Sequence, residues 1–60
     1  MNKEKMRTIS TQFMNGETVP KLKPLAYDSS KRSGILKYRG VKWFYYALDG
    51  IVRDIEVMFN

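Results

Sequence analysis

The sequence predicts an all-β fold, a small five-stranded meander curled into a barrel. Three observations point there. Turn-forming residues recur near positions 15, 30, 40 and 50, and short strands punctuated at about 8 to 12 residues read as a sandwich or barrel. The segments between them are rich in Thr, Val, Ile, Phe, Tyr and Trp, residues that fit a pleated, half-buried surface. The chain has 60 residues, read as a single domain over 1–60, and a chain this short buries only about 60% of the surface it exposes when unfolded.

Residues 1–6 are polar and charged and are expected to form a flexible arm. The first strand is expected at 7–14, because RTISTQFM sets Ile9, Thr11 and Phe13 on one face and Thr8, Ser10 and Gln12 on the other. Asn15-Gly16 follows, and both residues tolerate the positive φ of a type I′ turn. The second strand, 17–25, holds Pro20 and Pro24, which lack amide donors and confine it to an edge. Its basic stretch Pro20-Lys21-Leu22-Lys23-Pro24 fits an edge guarded against aggregation, or a segment lying along a phosphate backbone. Tyr27–Gly34 (YDSSKRSG) is the clear loop. Three strands complete the chain at 34–39, 41–48 and 51–59, joined by tight turns at Arg39-Gly40 and Asp49-Gly50. Asp-Gly between hydrophobic runs is the strongest short-range hairpin signal.

One alternative competes with this reading. Val41, Phe44, Tyr45, Leu48, Ile51, Val52, Ile55, Met58 and Phe59 share one face of a 3.6-residue helix. That gives an α+β fold with N-terminal strands and a C-terminal helix over 41–59. Gly50 argues against it, costing about 1 kcal/mol in mid-helix. So does the density of β-branched and aromatic residues, which lose χ1 freedom in helices.

With two-residue turns at 39–40 and 49–50 and no irregularity, the register follows. Leu48 opposes Ile51, Tyr46 opposes Arg53 and Phe44 opposes Ile55. On the other face Ala47 opposes Val52, Tyr45 opposes Asp54 and Trp43 opposes Glu56. Both faces come out mostly apolar, whereas a lone antiparallel sheet usually keeps one face wet. The core is assigned to the face with Phe44, Leu48, Ile51 and Ile55. The face with Tyr38, Trp43, Tyr45, Asp54 and Glu56 becomes the candidate binding surface. In length and punctuation the chain is similar to small SH3-like barrels, a fold-level likeness that says little about function.

Composition excludes most chemistry. There are no Cys and no His, so disulfides, thiolate or imidazole metal sites and the common nucleophile–base pairs are missing. Asp54 and Glu56 lie two apart on one strand, but a chain this short leaves little room for an enclosed pocket. The expectation is a protein that is not an enzyme and takes neither cofactor nor metal. No stretch of about 18 apolar residues is present, so no membrane span is expected. Met1–Lys5 runs into no apolar signal region, and the absence of Cys suits a reducing compartment. Together these give an expected cytoplasmic location.

The net charge is +5 and the pI about 9.8, which favours polyanionic partners. Residues 1–34 carry seven cations and three carboxylates, a net +4, and residues 35–60 carry four and three, a net +1. Lys31-Arg32 sit in the central loop, which lacks the spacing of a phosphate-wrapping glycine loop. Lys37, Tyr38, Arg39, Lys42 and Trp43 interleave cations with rings around Gly40. Cations hold phosphates and rings stack on unpaired bases. The expected function is therefore a small, basic, non-catalytic module that contacts nucleic acid through Lys31, Arg32, Lys37, Tyr38, Arg39, Lys42, Trp43 and Tyr45. The alternative is an inhibitor or adaptor that binds a larger protein through an exposed aromatic face. Pairing with another copy of the chain, a homo-oligomer, is a third way to cover that face.

Overall fold

A helix opens the chain where a strand was expected. In a computed structural model that describes residues 2–59, α1 spans Lys3–Met14. It is followed by β1 (Leu22–Asp28), β2 (Ser33–Tyr38), β3 (Val41–Leu48) and β4 (Ile51–Met58). The strands form one open antiparallel sheet in the order β1-β2-β3-β4. The five-stranded, SH3-like barrel is thus overturned, and so is the arrangement with N-terminal strands and a helix over 41–59.

Residue spacing explains α1. Met6, Ile9, Ser10 and Phe13 recur at i, i+3, i+4 and i+7 and form one stripe. Met6 and Ser10 are fully buried and the other two pack against the core. Setting residues 1–6 aside as an arm removes Met6 and leaves a segment that reads as alternation. Residues 3–6 are the first turn of this helix; Met1 lies outside the described residues. Asn2 caps it, its side-chain oxygen accepting from the Lys5 N–H at 2.7 Å, an interaction worth about 1 kcal/mol. Asn15-Gly16 closes the helix. Gly16 takes a φ of +89° and donates to the Phe13 carbonyl, while Glu17 N–H reaches the Gln12 carbonyl, each at 3.1 Å. These paired bonds make a Schellman cap. The left-handed tolerance that suits a hairpin serves a helix end equally well.

The helix lies antiparallel to β4. Asn15 Nδ2 donates to the Gly50 carbonyl at 3.1 Å at one end, and Lys3 meets Glu56 at 2.7 Å at the other. Residues 15–21 then cross to the opposite end of the sheet, where Arg39 N–H donates to the Lys21 carbonyl at 3.4 Å. The strand expected at 17–25 starts only at Leu22 and runs on to Asp28, so the expected loop shrinks to a turn at 29–32. Both tight turns form. Arg39-Gly40 and Asp49-Gly50 have positive φ at both residues, 51° and 84°, then 55° and 76°, as type I′ hairpins require.

A β-bulge decides which face is the core. Leu48 opposes Ile51 and Ala47 opposes Val52 as the unbroken register requires. Between Tyr46 and Ala47 the register then shifts, so that Tyr45 opposes Ile55 and Trp43 opposes Val57. One extra residue in β4 moves everything beyond it to the other face. Val52 and Ile55, three apart, both point toward α1. The expected core face of Phe44, Leu48, Ile51 and Ile55 loses Ile55, and the true core is the opposite one. It holds Leu22, Leu36, Trp43, Tyr45, Ala47, Val52 and Ile55, closed by Met6.

Gly34 shapes one end of this core. It stands between Tyr27 on β1 and Tyr45 on β3. With no side chain there, the two rings stack across the gap, centroids 6.4 Å apart and planes within 18°. The edge of β4 is also guarded: the Thr11 hydroxyl accepts from the Val52 N–H at 2.9 Å.

Candidate functional site

Among the described residues, none covers the face of the sheet turned away from α1. Its residues follow from the register, since directly opposed side chains share a face. One row runs Lys23, Lys37, Lys42 across β1, β2 and β3 and ends at Met58 on β4. The next runs Ala26, Ile35, Phe44, Glu56, and a third runs Asp28, Ser33, Tyr46, Asp54. Leu48 and Ile51 complete it beside the 49–50 turn.

Two features mark this face. Three lysines stand directly opposite one another on adjacent strands, an arrangement that destabilises a sheet. Among the described residues, the ion pairs are Lys3–Glu56 and Arg7–Glu4; neither draws on the row. Phe44 and Tyr46 follow Lys42 on the same side of β3 with 43% and 37% of their surface exposed, spaced about 7 Å apart along the strand. Beside Phe44 lies a hollow of about 170 Å³ bounded by Ala26, Tyr27, Asp28, Ser33, Gly34 and Ile35.

Two of the three carboxylates on this face are engaged, and Asp54 forms no ion pair among the described residues. Lys3 holds Glu56. Asp28 accepts from the Ser30 hydroxyl at 2.6 Å and the Ser30 N–H at 3.0 Å. The hydroxyl bond chiefly holds its carboxyl below the ordinary value, with the amides of Ser30 and Lys31 helping against some desolvation. Among the described residues, no three Asp or Glu side chains gather closely enough to hold a metal ion.

The residues expected from sequence separate. Lys37 and Lys42 lie on the open face. Lys31 and Arg32 occupy the 29–32 turn at the other end of the strands. Arg39 sits in its turn with its guanidinium 5.4 Å from the Tyr38 ring centre. Tyr38 is half-buried on the helix side. Trp43 and Tyr45 are buried there at 6% and 7% exposure, so neither ring is presented to a ligand. Burial pushes the Tyr45 hydroxyl above its ordinary pKa, with a smaller contribution from Tyr27.

Phe44 and Tyr46 lie on the face expected to be the core, and Lys23 in the stretch expected to guard an edge or follow a phosphate backbone; with Ile35, all three stand on the open face. Their signal is the bulge, for which two successive charged residues, Arg53-Asp54, inside an apolar strand are the trace.

No helix among the described residues is long and apolar enough to cross a membrane. No family model, curated protein or solved structure matches the chain.

Proposed function

We propose that this protein is a non-catalytic module that binds single-stranded nucleic acid on the open face of its sheet. The observation that carries the reading is the row Lys23–Lys37–Lys42, unpaired among the described residues and in register beside two exposed rings. Lysines opposed in this way cost stability, and an anionic ligand relieves them. Phosphates lie along the row, and bases stack on Phe44 and Tyr46. Sheets backed by helices bind single strands in this manner, through rings on central strands. A duplex, whose bases are already stacked, gains less from such a platform. Lys31 and Arg32, at the far end, extend the positive field. A cytoplasmic setting belongs to the same proposal and is supported by the absence of cysteine.

Fluorescence anisotropy with labelled single strands and duplexes tests it. Three neutralised phosphates give a log–log salt slope of about −2 for a single strand. Phe44→Ala and Tyr46→Ala each weaken binding about five- to hundredfold. Absence of binding at low salt, or affinity indifferent to salt, overturns the reading. The same face has an apolar end, Leu48 and Ile51, the latter 45% exposed, which suits a protein partner or a second copy. Capture of a partner protein that Phe44→Ala abolishes, with no affinity for oligonucleotides, favours the adaptor reading instead. Concentration-dependent sedimentation favours self-association.

A further inference from the structure

The seam between α1 and β4 carries a second group of cations. Two clefts of about 520 and 500 Å³ run along it, and Arg7 and Arg53 border both. The cleft nearer the helix N-terminus also has Lys3, Glu4 and Asp54 on its walls. The other has no carboxylate: its remaining walls are Thr8, Thr11 and Gln12, over a floor of Ile51 and Val52. Arg53 is there because of the bulge, which inserts it between the inward-pointing Val52 and Ile55 at the rim of β4. Bulges often re-aim a side chain at functional sites. No carboxylate lies within ion-pair distance of Arg53 among the described residues, and the Arg7 contact to Glu4 is long, at 3.8 Å. Ile51 belongs both to this cleft and to the open face, so the two surfaces are continuous around the edge of β4.

We infer that this cleft is a phosphate-binding extension of the open face. A single strand that stacks on Phe44 and Tyr46 continues past Ile51 over the β4 edge and sets a phosphodiester between Arg7 and Arg53. Guanidinium groups suit this task because their planar donors meet two phosphate oxygens at once. The inference rests on the proposed single-strand binding and adds a longer footprint and a direction of travel.

Oligonucleotides of two lengths separate the two ideas. A strand of about four nucleotides covers the open face alone, and one of about ten also reaches the cleft, within the span of known single-strand sites. The wild-type protein is expected to bind the longer strand at least tenfold more tightly. In the Arg7→Gln/Arg53→Gln double variant that advantage disappears, the short strand binds as before, and the salt slope for the long strand falls by about 0.7, the share of one phosphate. The Arg7→Lys/Arg53→Lys variant retains the charge and the slope but recovers only part of the affinity. If the short strand binds and the longer one gains nothing, or if the double variant keeps the gain, the extension is wrong and the open-face reading stands. If neither length binds, both fall.

Discussion

Replacing Lys37 by Glu is expected to stabilise the fold while destroying the site. Lys37 is the middle of the row, with Lys23 opposite on one side and Lys42 on the other. Each opposed pair contributes roughly 0.2–1 kcal/mol, unfavourable for like charges and favourable for unlike ones. Two pairs change sign, each swinging by twice that amount, so the gain is about 0.8–4 kcal/mol at low ionic strength. These amines face solvent, and exposed pairs tend to the lower half of such ranges. A gain near 1 kcal/mol raises Tm by about 4–8 °C in a domain of this size. Lys37→Gln removes the repulsion without adding attraction and gives about half of that. Thermal unfolding followed by circular dichroism at low salt and in 1 M NaCl measures it. In 1 M salt the screening length falls to about 3 Å and most of the gain vanishes. The same Lys37→Glu protein binds a single strand at least tenfold more weakly. A variant no more stable than wild type, or a gain that persists in 1 M salt, shows that the lysines do not repel one another, and undiminished binding shows that the row holds no phosphate.

Gly34→Ala tests the tyrosine stack. A Cβ there stands 2.6 Å from Tyr45 Cζ and 2.7 Å from the Ala26 carbonyl oxygen, so overpacking costs about 1–3 kcal/mol in urea unfolding; an unchanged midpoint contradicts the packing described. Ser10 is fully buried and its hydroxyl has no hydrogen-bond partner among the described residues, so Ser10→Ala is expected to raise stability by about 1 kcal/mol; a loss in the same assay shows that the hydroxyl is satisfied. Tyr45 has its pKa raised by burial, so its neutral form is favoured by folding. The stability this contributes is complete below about pH 10, the unfolded value, and is lost as pH rises through the higher folded value. Tyr45→Phe removes that alkaline loss, and identical pH profiles for the two proteins contradict it.

The hairpins were legible because a two-residue type I′ turn leaves a chemical signature. Asp49-Gly50 sits between hydrophobic runs, and Arg39-Gly40 supplies a glycine at its second position. The helix was not, because the short, Thr-rich Arg7–Met14 alternates as well as it cycles, and only Met6 breaks the tie. Asn15-Gly16 added nothing, since a Schellman cap and a hairpin both need positive φ. The candidate site was half legible. Basic–aromatic interleaving around Gly40 drew attention to Lys37 and Lys42, which the sheet sets on its open face. The choice between Trp43 with Tyr45 and Phe44 with Tyr46 turned on one extra residue in β4. Strand periodicity is two, so a single bulge reverses inside and outside for everything after it. IVRDIEVM has apolar residues on both faces with or without the bulge, and the adjacent charges Arg53-Asp54 are its one trace in the sequence.

The claim that the open face is the ligand surface is tested most directly by side-chain NMR. A ¹³C-labelled sample is titrated at low salt with a short single-stranded oligonucleotide. The ring signals of Phe44 and Tyr46 and the methyls of Ile35 are expected to shift in proportion to occupancy. Those of Trp43, Tyr45 and Val52, buried in the core on the opposite face, stay nearly fixed. Shifts centred on Trp43 and Tyr45, or none anywhere at excess oligonucleotide, contradict it.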